Sequence, residues 1–392
     1  MSRYRPADET QLIEVVATAV ANDEPVEIVA GGSKRNLGRP PQLPHTLDVA
    51  AFAGIRQYEP EELVLTAGAA TPLSEIESAL AAKRQMLAFE PADWRVLLGS
   101  AATSPTLGGV IACNLSGPRR ICQGAARDHV LGLAAVSGRG EAFKAGGRVV
   151  KNVTGYDLCK LLAGSYGTLA VMTEISVKVL PAPEATRTVA LAGLDDARAV
   201  AAMIHGLNAP HELSGAAHLP NADGRARTIM RVEGPLPSVE ACSKALRDEL
   251  KPFGAAEILG DAESERLWKD VRDAAPLAAG ERAIWRVSLA PTASPAFLGA
   301  VRAALNVDYF LDWGGGLVWL AVRGADDGGA GPIRAALGGQ GHATLIRASA
   351  ALRAAVPVFE PLPSALAALS ARVKDGFDPK RVLNRGRLYS EF

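Results

Sequence analysis

The chain has 392 residues, beyond the roughly 250–300 at which one hydrophobic core stops growing, so two domains are expected. Hydrophobic residues make up 48% and charged residues 21%, which excludes a disordered chain. Lys plus Arg and Asp plus Glu each number 42, so no global field draws the protein onto nucleic acid or anionic lipid.

In chain order, residues 10–21 carry Leu12, Val15, Val16 and Ala19 at helical spacing, and Pro25 precedes the β-rich run VEIVA. A strand over Leu63 to Ala67 leads to Thr71-Pro72, an N-cap and first-turn pair for the helix LSEIESALAAK. The apolar run Met86 to Phe89 and a glycine-rich segment follow, then the strands VLGLAAVS and TLAVMTEISVKVL around a helix-like GYDLCKLLAG. At Pro181-Ala-Pro183 the texture changes. Beyond it, TRTVALAG, RTIMRVEG, AIWRVSLAP, YFLDW, LVWLAV and HATLIRA read as strands, and 195–207, 237–250, 263–273, 295–305 and 331–338 as helices. An antiparallel sheet covered by helices is expected over 184–354. Pro357, Pro361 and Pro363 mark a second boundary before the helix ALAALSARVKDG and the tail FDPKRVLNRGRLYSEF. The expected fold class is α+β, with 1–183 completed by 355–392 as one domain and 184–354 as a cap on the substrate side.

The longest apolar runs fall far short of the roughly 18–20 residues of a membrane span. The start MSRYRPADETQ lacks the apolar stretch of a secretory signal. A cytoplasmic protein without an integral membrane segment is expected. Cys113, Cys122, Cys159 and Cys242 form no C-x-x-C pair and read as reduced thiols, with no metal role.

Three segments carry possible chemistry. The run V26-E-I-V-A-G-G-S-K-R-N-L-G38 ends a strand in two glycines, a hydroxyl, two cations and an amide. Such a turn exposes successive backbone N–H groups and lets a diphosphate approach without a Cβ in the way. It is neither G-x-x-x-x-G-K-[ST] nor G-x-G-x-x-G, and by itself reads as an ordinary surface turn as readily as a phosphate cradle. The run S104-P-T-L-G-G-V-I-A-C-N-L-S-G117 places a second glycine pair at the start of a short helix, whose N-terminus favours an anion. The third, from Val150 to Thr173, passes through a helix and the turn G164-S-Y-G-T into a long apolar strand.

In that order and spacing the three segments resemble the FAD-binding domain of the vanillyl-alcohol oxidase and p-cresol methylhydroxylase superfamily, a PCMH-type domain. The FDPKRVLNRGR text looks like its returning D-P-x-x-x-x-N-P-G-K tail. The resemblance implies that Gly31, Gly32, Ser33, Lys34, Arg35 and Asn36 wrap the FAD pyrophosphate. It sets Thr106, Leu107, Gly108, Gly109 and Asn114 along the ribityl and phosphate region, Gly167, Thr168, Leu169, Ala170 and Val171 near the adenine, and Asn384 toward the flavin ring. Ser33 stands where members with a covalent flavin carry His, which implies non-covalent FAD. Ala30 replaces a loop glycine, Tyr166 the Glu of G-S-E-G-T, and Arg385 the tail proline. Within the superfamily, K-N-V-T-G-Y-D-L and W313-G-G-G-L-V-W319 look most like the smaller FAD-binding subunits of bacterial glycolate oxidases. That implies a complex with a larger FAD-bearing dehydrogenase subunit and an iron–sulfur subunit, associated with a membrane only through partners, that oxidises a 2-hydroxy acid to a 2-oxo acid.

Oxidising a 2-hydroxy acid needs a cation for its carboxylate and a base for its hydroxyl proton. His211 and His218 share the separation of the metal-binding H-x-G-D-G-N-x-H of larger relatives, yet the text between them is ELSGAA and no Glu-His pair follows; the spacing reads as coincidence. His129 reads as a structural histidine and His342 as exposed. Arg286, Arg347 and Trp313 lie on strands that could face a flavin, but such residues also serve solvent and core, and no catalytic residue is assigned. Two readings stand: an oxidoreductase subunit, or a non-catalytic FAD-bearing subunit that supports or relays electrons for a catalytic partner. A nicotinamide enzyme is excluded, because no Gly-rich turn is followed by a ribose-binding acid in a βαβ unit.

Overall fold

The computed structural model describes residues 2–102, 104–147, 155–222 and 224–391, so the K-N-V-T text at 151–154 lies outside the described residues. The chain forms two compact units. One comprises Met1–Ser116, Ala125–Pro181 and Pro361–Phe392, the other Gly117–Gly124 and Ala182–Glu360.

The first unit begins with β1 (Ser2–Tyr4), α1 (Glu9–Asn22), β2 (Val26–Val29) and β3 (His45–Asp48). The Asp8 carboxylate caps α1 by accepting from Gln11 N–H at 2.9 Å. Leu12, Val16 and Ala19 bury one stripe of α1 against Val26, Leu47, Val136, Val171, Val382 and Leu383, and Asp23 ends the helix in the left-handed region (φ 52°). The three strands form a parallel sheet in the order β1-β3-β2. After β4 (Ile55–Glu59), β5 (Val64–Gly68), α2 (Leu73–Ala81), β6 (Gln85–Met86) and α3 (Leu107–Ala112) come β7 (Val130–Ser137), β8 (Ala142–Gly146), α5 (Leu158–Leu162), β9 (Ala170–Lys178) and β10 (Leu180–Pro181). An antiparallel sheet runs β4-β5-β9-β7-β8, and β6 pairs with β10. Thr71 does not cap α2: Pro72 holds that place, and the Thr71 hydroxyl donates to Gly68 O and accepts from Gly54 N–H.

The tail returns through α12 (Ser364–Phe377). Lys374 is the buried residue of this helix, and its ammonium donates to Thr168 O (2.6 Å), Asp378 Oδ2 (2.7 Å) and Leu383 O (3.2 Å). Asp378 in turn accepts the N–H groups of Val382 and Leu383, so the buried ion pair has its hydrogen bonds satisfied, the condition under which such a pair is tolerated. The chain then runs parallel to β2, with Val26 N–H to Val382 O (2.8 Å) and Asn384 N–H to Val26 O (3.0 Å). This edge pairing brings residues 384–387 to the end of β2.

The second unit contains α4 (Arg120–Gln123), β11 (Ala185–Ala192), α6 (Asp196–Asn208), β12 (Gly215–Ala222), β13 (Arg225–Gly234), α7 (Leu236–Glu249), β14 (Ala256–Leu259), α8 (Asp261–Arg272), β15 (Ala283–Leu289), α9 (Ser294–Ala304), β16 (Asn306–Asp312), β17 (Leu317–Arg323), α10 (Ala330–Leu337), β18 (Gly341–Arg347) and α11 (Ala350–Ala355). Its sheet is antiparallel throughout, ordered β14-β11-β13-β12-β16-β17-β15-β18. Alternate residues such as Val189, Met230, Trp285, Val287, Leu320 and Leu345 share one core with Met203, Leu246, Leu298 and Ile333 of α6, α7, α9 and α10. Gly117–Gly124 counts with this unit, whereas the sequence reading ran the first domain unbroken to 183. Arg119 fastens it there through a two-pronged pair to Glu233 (2.6 and 2.8 Å). Burial pushes the Glu233 carboxyl up, but Arg231 and Arg119 outweigh it and hold its pKa at about 2.

Candidate cofactor site

Where β2 ends, residues 28–35 bound a cavity of the first unit, together with parts of α3, the 166–172 segment, Asn384 and Arg387. Its volume of about 110 Å³ is several times what one water needs. Gly31, Gly32, Ser33 and Lys34 all line it, and none of their backbone N–H groups donates to an acceptor among the described residues. Four successive amides with unspent donors form the nest that anionic oxygens occupy. Lys34 adds an ammonium that is only 9% exposed and bonded to the Ser33 hydroxyl at 3.2 Å. Burial pushes its pKa down, the signature of a cation held without full compensation.

The glycines of this wall differ in what they do. A Cβ on Gly31 would lie 2.8 Å from Ser104 O, and one on Gly108 would lie 2.8 Å from Ala69 O and Cβ, so both permit close backbone packing. Gly32 has φ +74°, a conformation that disfavours a side chain. On Gly109 a Cβ would meet Thr106 Oγ1 at 3.2 Å and then the Lys34 side chain at 3.7–3.9 Å, so its absence keeps space open next to the ammonium.

The helix N-terminus behaves differently from the sequence reading. The N–H of Leu107 donates to Thr71 O (3.0 Å), that of Gly108 to Ala69 O (2.7 Å) and that of Gly109 to Thr106 Oγ1 (3.3 Å), so the first amides of α3 are already engaged. The unspent amides at residues 31–34 therefore belong to the loop after β2 and not to the start of α3.

Of the residues singled out from sequence, Gly31, Gly32, Ser33, Lys34, Arg35, Thr106, Gly108, Gly109, Gly167, Ala170 and Asn384 meet at the cavity. Arg35 reaches it with its charge engaged by Glu27. Asn36 does not line it, and its amide donates to Leu98 O. Leu107 is buried at 0% exposure beside it. Asn114 turns its Oδ1 to Arg127 N–H, and Thr168 bonds Ser165 O. Along β9 side chains alternate, so Ala170 and Met172 reach the cavity while Val171 enters the α1 core, and Leu169 is buried away from it. Asn384 acts as a clasp: its Oδ1 accepts from Ile28 N–H (2.9 Å) and its Nδ2 donates to Tyr166 O (2.8 Å). Gly167, φ +69°, leaves room for that amide.

Arg387, Cys113, Tyr166 and Met172 also line the cavity, and the sequence reading gave them no role. Arg387 is buried, pairs with Glu27 at 3.5 Å and donates to Lys34 O (2.7 Å) and Arg35 O (3.3 Å), holding the glycine loop from behind. A basic residue three positions after the tail asparagine was the available signal. Burial pushes the Cys113 thiol up, and the Lys34 and Arg387 charges counter it. In the second unit His211 pairs with Glu249 (3.0 Å) and His218 with Thr228 (2.9 Å), so the two histidines are held by different partners.

An FAD binding domain model matches residues 3–146. The glycolate oxidase subunit GlcE of Escherichia coli (strain K12) is 36% identical across 99% of both chains. The glycolate oxidase subunit GlcD of Bacillus subtilis (strain 168) is 45% identical over 83 residues, 21% of this chain and 18% of GlcD. In fold, 4-ethylphenol oxidase from Gulosibacter chungangensis superposes with a TM-score of 0.74 at 14% identity, covering 99% of this chain and 89% of the oxidase. The free amides, the open glycine and the buried ammonium suit the diphosphate of FAD, the cofactor of this domain. By its identity to GlcE over nearly its whole length, the chain belongs to the family of glycolate oxidase subunit GlcE.

Proposed function

We propose that this chain is an FAD-bearing subunit of a glycolate oxidase complex that takes a 2-hydroxy acid to its 2-oxo acid. One observation supports this above others: a buried Lys34 ammonium beside four unspent amides at residues 31–34, in a relative of GlcE. In this reading residues 31–34 and Gly109 hold the diphosphate, and Asn384 and Arg387 fix the loop that carries those donors. Arg35 acts through Glu27 and not on the phosphates. Bound FAD supplies the hydride-accepting chemistry. Ser33, without the ring nitrogen of a linking histidine, leaves the cofactor non-covalent. Residues 184–354 form the substrate-side cap. The partners are a larger FAD-bearing dehydrogenase subunit and an iron–sulfur subunit.

A second reading assigns the chemistry to the partner and leaves this chain as an electron relay. The separate engagements of His211 by Glu249 and of His218 by Thr228 favour it, since each ring already has a hydrogen-bond partner of its own. Anaerobic mixing with glycolate tests the two. The first reading expects flavin reduction in the assembled complex to include this chain's FAD, and to be lost when this chain alone is stripped of FAD. Full glycolate oxidation by a complex whose copy of this chain lacks FAD would overturn both.

A further inference from the structure

Lys374 and Asp378, at the C-terminal end of α12, form an ion pair whose side chains are 1% and 0% exposed. Burying two charges is costly, and what offsets the cost is a full set of hydrogen bonds. Here those bonds go to backbone groups at particular positions. The ammonium has three N–H donors, and they reach Asp378 Oδ2, Thr168 O and Leu383 O. The carboxylate accepts Val382 N–H at Oδ1 and Leu383 N–H at Oδ2, both at 2.9 Å. A Cβ on Gly138 would collide with the Asp378 side chain, so that glycine lets the turn after β7 pack directly on the pair.

The pair holds two consecutive peptide groups of the tail that β2 also holds. In the first, Val382 O accepts from Val26 N–H while Leu383 N–H donates to Asp378. In the second, Leu383 O accepts from Lys374 while Asn384 N–H donates to Val26 O. Each peptide group is thus fixed at both its oxygen and its hydrogen. Asn384 follows with φ +43°, a region that asparagine enters more readily than most residues. Its side chain there meets Ile28 N–H and Tyr166 O, two residues of the cavity wall, and three positions on Arg387 reaches Lys34 O. Lys374 also holds the 166–172 segment directly, since Thr168, whose carbonyl it binds, is two residues after Tyr166. Apolar side chains of similar volume can fill the space of a buried pair with no loss of stability, but they offer nothing that orients these peptide groups.

We infer that Lys374 and Asp378 are positioning residues of the cofactor cradle, so that docking of the tail and binding of FAD strengthen each other. That FAD is the occupant rests on the proposed function; the hold of the tail on the cradle rests on the contacts alone. Such coupling is reciprocal: the factor by which a docked tail tightens FAD is the factor by which FAD stabilises the docked tail.

The test uses the full chain and reads FAD affinity by flavin fluorescence titration and tail docking by amide hydrogen exchange. In the parent, saturating FAD should slow exchange of the Val382 and Leu383 amides by about tenfold or more, a factor common for coupled sites. Lys374→Met removes the three donors and should weaken FAD by about tenfold or more. Leu80→Ala, in the buried stripe of α2 and outside the cavity wall, should lower the melting temperature yet leave FAD affinity within about twofold, which separates positioning from a general loss of stability. Should Lys374→Met fail to fold, Asp378→Asn keeps the size of the side chain without its charge and should weaken FAD by several-fold. If the parent binds no FAD, the cofactor reading falls, and the FAD-free protein still tests the hold of the tail: in either variant exchange should quicken at Ile28 N–H as well as at Val382 and Leu383. In an FAD-binding parent, tail amides that FAD does not slow, parent-like FAD affinity in a folded variant of the pair, or equal weakening by Leu80→Ala would overturn the inference. Unchanged Ile28 exchange in the folded variants would overturn it with or without FAD.

Discussion

Replacing Lys34 by Met separates two effects of one side chain. Lys34 is 9% exposed, among the described residues its ammonium bonds only the Ser33 hydroxyl, and burial pushes its pKa down, so without a bound phosphate the charge should oppose folding. The FAD-free variant should therefore unfold at the parent's temperature or higher. With FAD the sign reverses, because a charge-assisted bond to phosphate contributes about 1.5–3 kcal/mol, or about 10- to 150-fold in Kd. At FAD held at about 100 times the parent Kd, the cofactor adds about 2.7 kcal/mol to the parent, but about 0.9 kcal/mol to a variant weakened thirtyfold. Titration of apoprotein by flavin fluorescence, paired with thermal unfolding with and without FAD, reads both. The pH dependences are also opposite. Deprotonation removes the cation that binds phosphate, so parent affinity falls as pH rises through the lowered Lys34 pKa and Lys34→Met loses that slope. Over the same range the FAD-free parent gains stability, since its unfolded state binds more protons there. FAD affinity within about twofold of the parent, or a loss of apoprotein stability in the variant, would refute the assigned cradle.

Gly108→Ala should destabilise the protein by about 1–3 kcal/mol through overpacking on Ala69, whereas Gly109→Asp should fold and lose FAD; thermal unfolding and flavin absorbance separate them. Asn384→Asp keeps the acceptor for Ile28 N–H but sets a carboxylate oxygen against Tyr166 O, so FAD retention should fall, with about 1–3 kcal/mol lost in thermal unfolding. Glu233→Gln leaves Arg119 and Arg231 short of their anion and should cost about 3–5 kcal/mol. In the parent, the stability from this carboxylate is present above its ordinary pKa of 4.5 and is lost as pH falls through about 2, a dependence that acid unfolding should show missing in the variant.

The sequence carried the local motifs well, since a strand entering a glycine turn and an amphipathic α1 are written in adjacent residues. Less visible were features set by distant chain. Strand β3, HTLD, and strand β12, GAAHLPNA, are too polar or too small-sided to stand out, and they form because neighbouring strands supply their hydrogen bonds. Arg387 supports a loop some 350 residues earlier, at Lys34 O, and its three-residue step from Asn384 was the one local hint of that. The α3 glycines looked like a phosphate-facing helix start, yet Thr71 O and Ala69 O take their amides, which only tertiary pairing decides. Period-two alternation along β9 would have exchanged Val171 for Met172, a case where the signal was present. Arg286 and Trp313 were noticed as strand residues, but the contact of the Trp313 ring with Arg120 as well as Arg286 depends on Gly117–Gly124 joining the second unit.

The central claim, that the loop at residues 31–34 holds a non-covalent FAD, is tested most directly by the visible spectrum of the purified chain before and after acid precipitation. The account predicts flavin bands corresponding to one FAD per chain, all of it recovered in the acid supernatant, with a colourless pellet. A colourless protein that FAD cannot reconstitute, or flavin that stays with the precipitated chain, would contradict it.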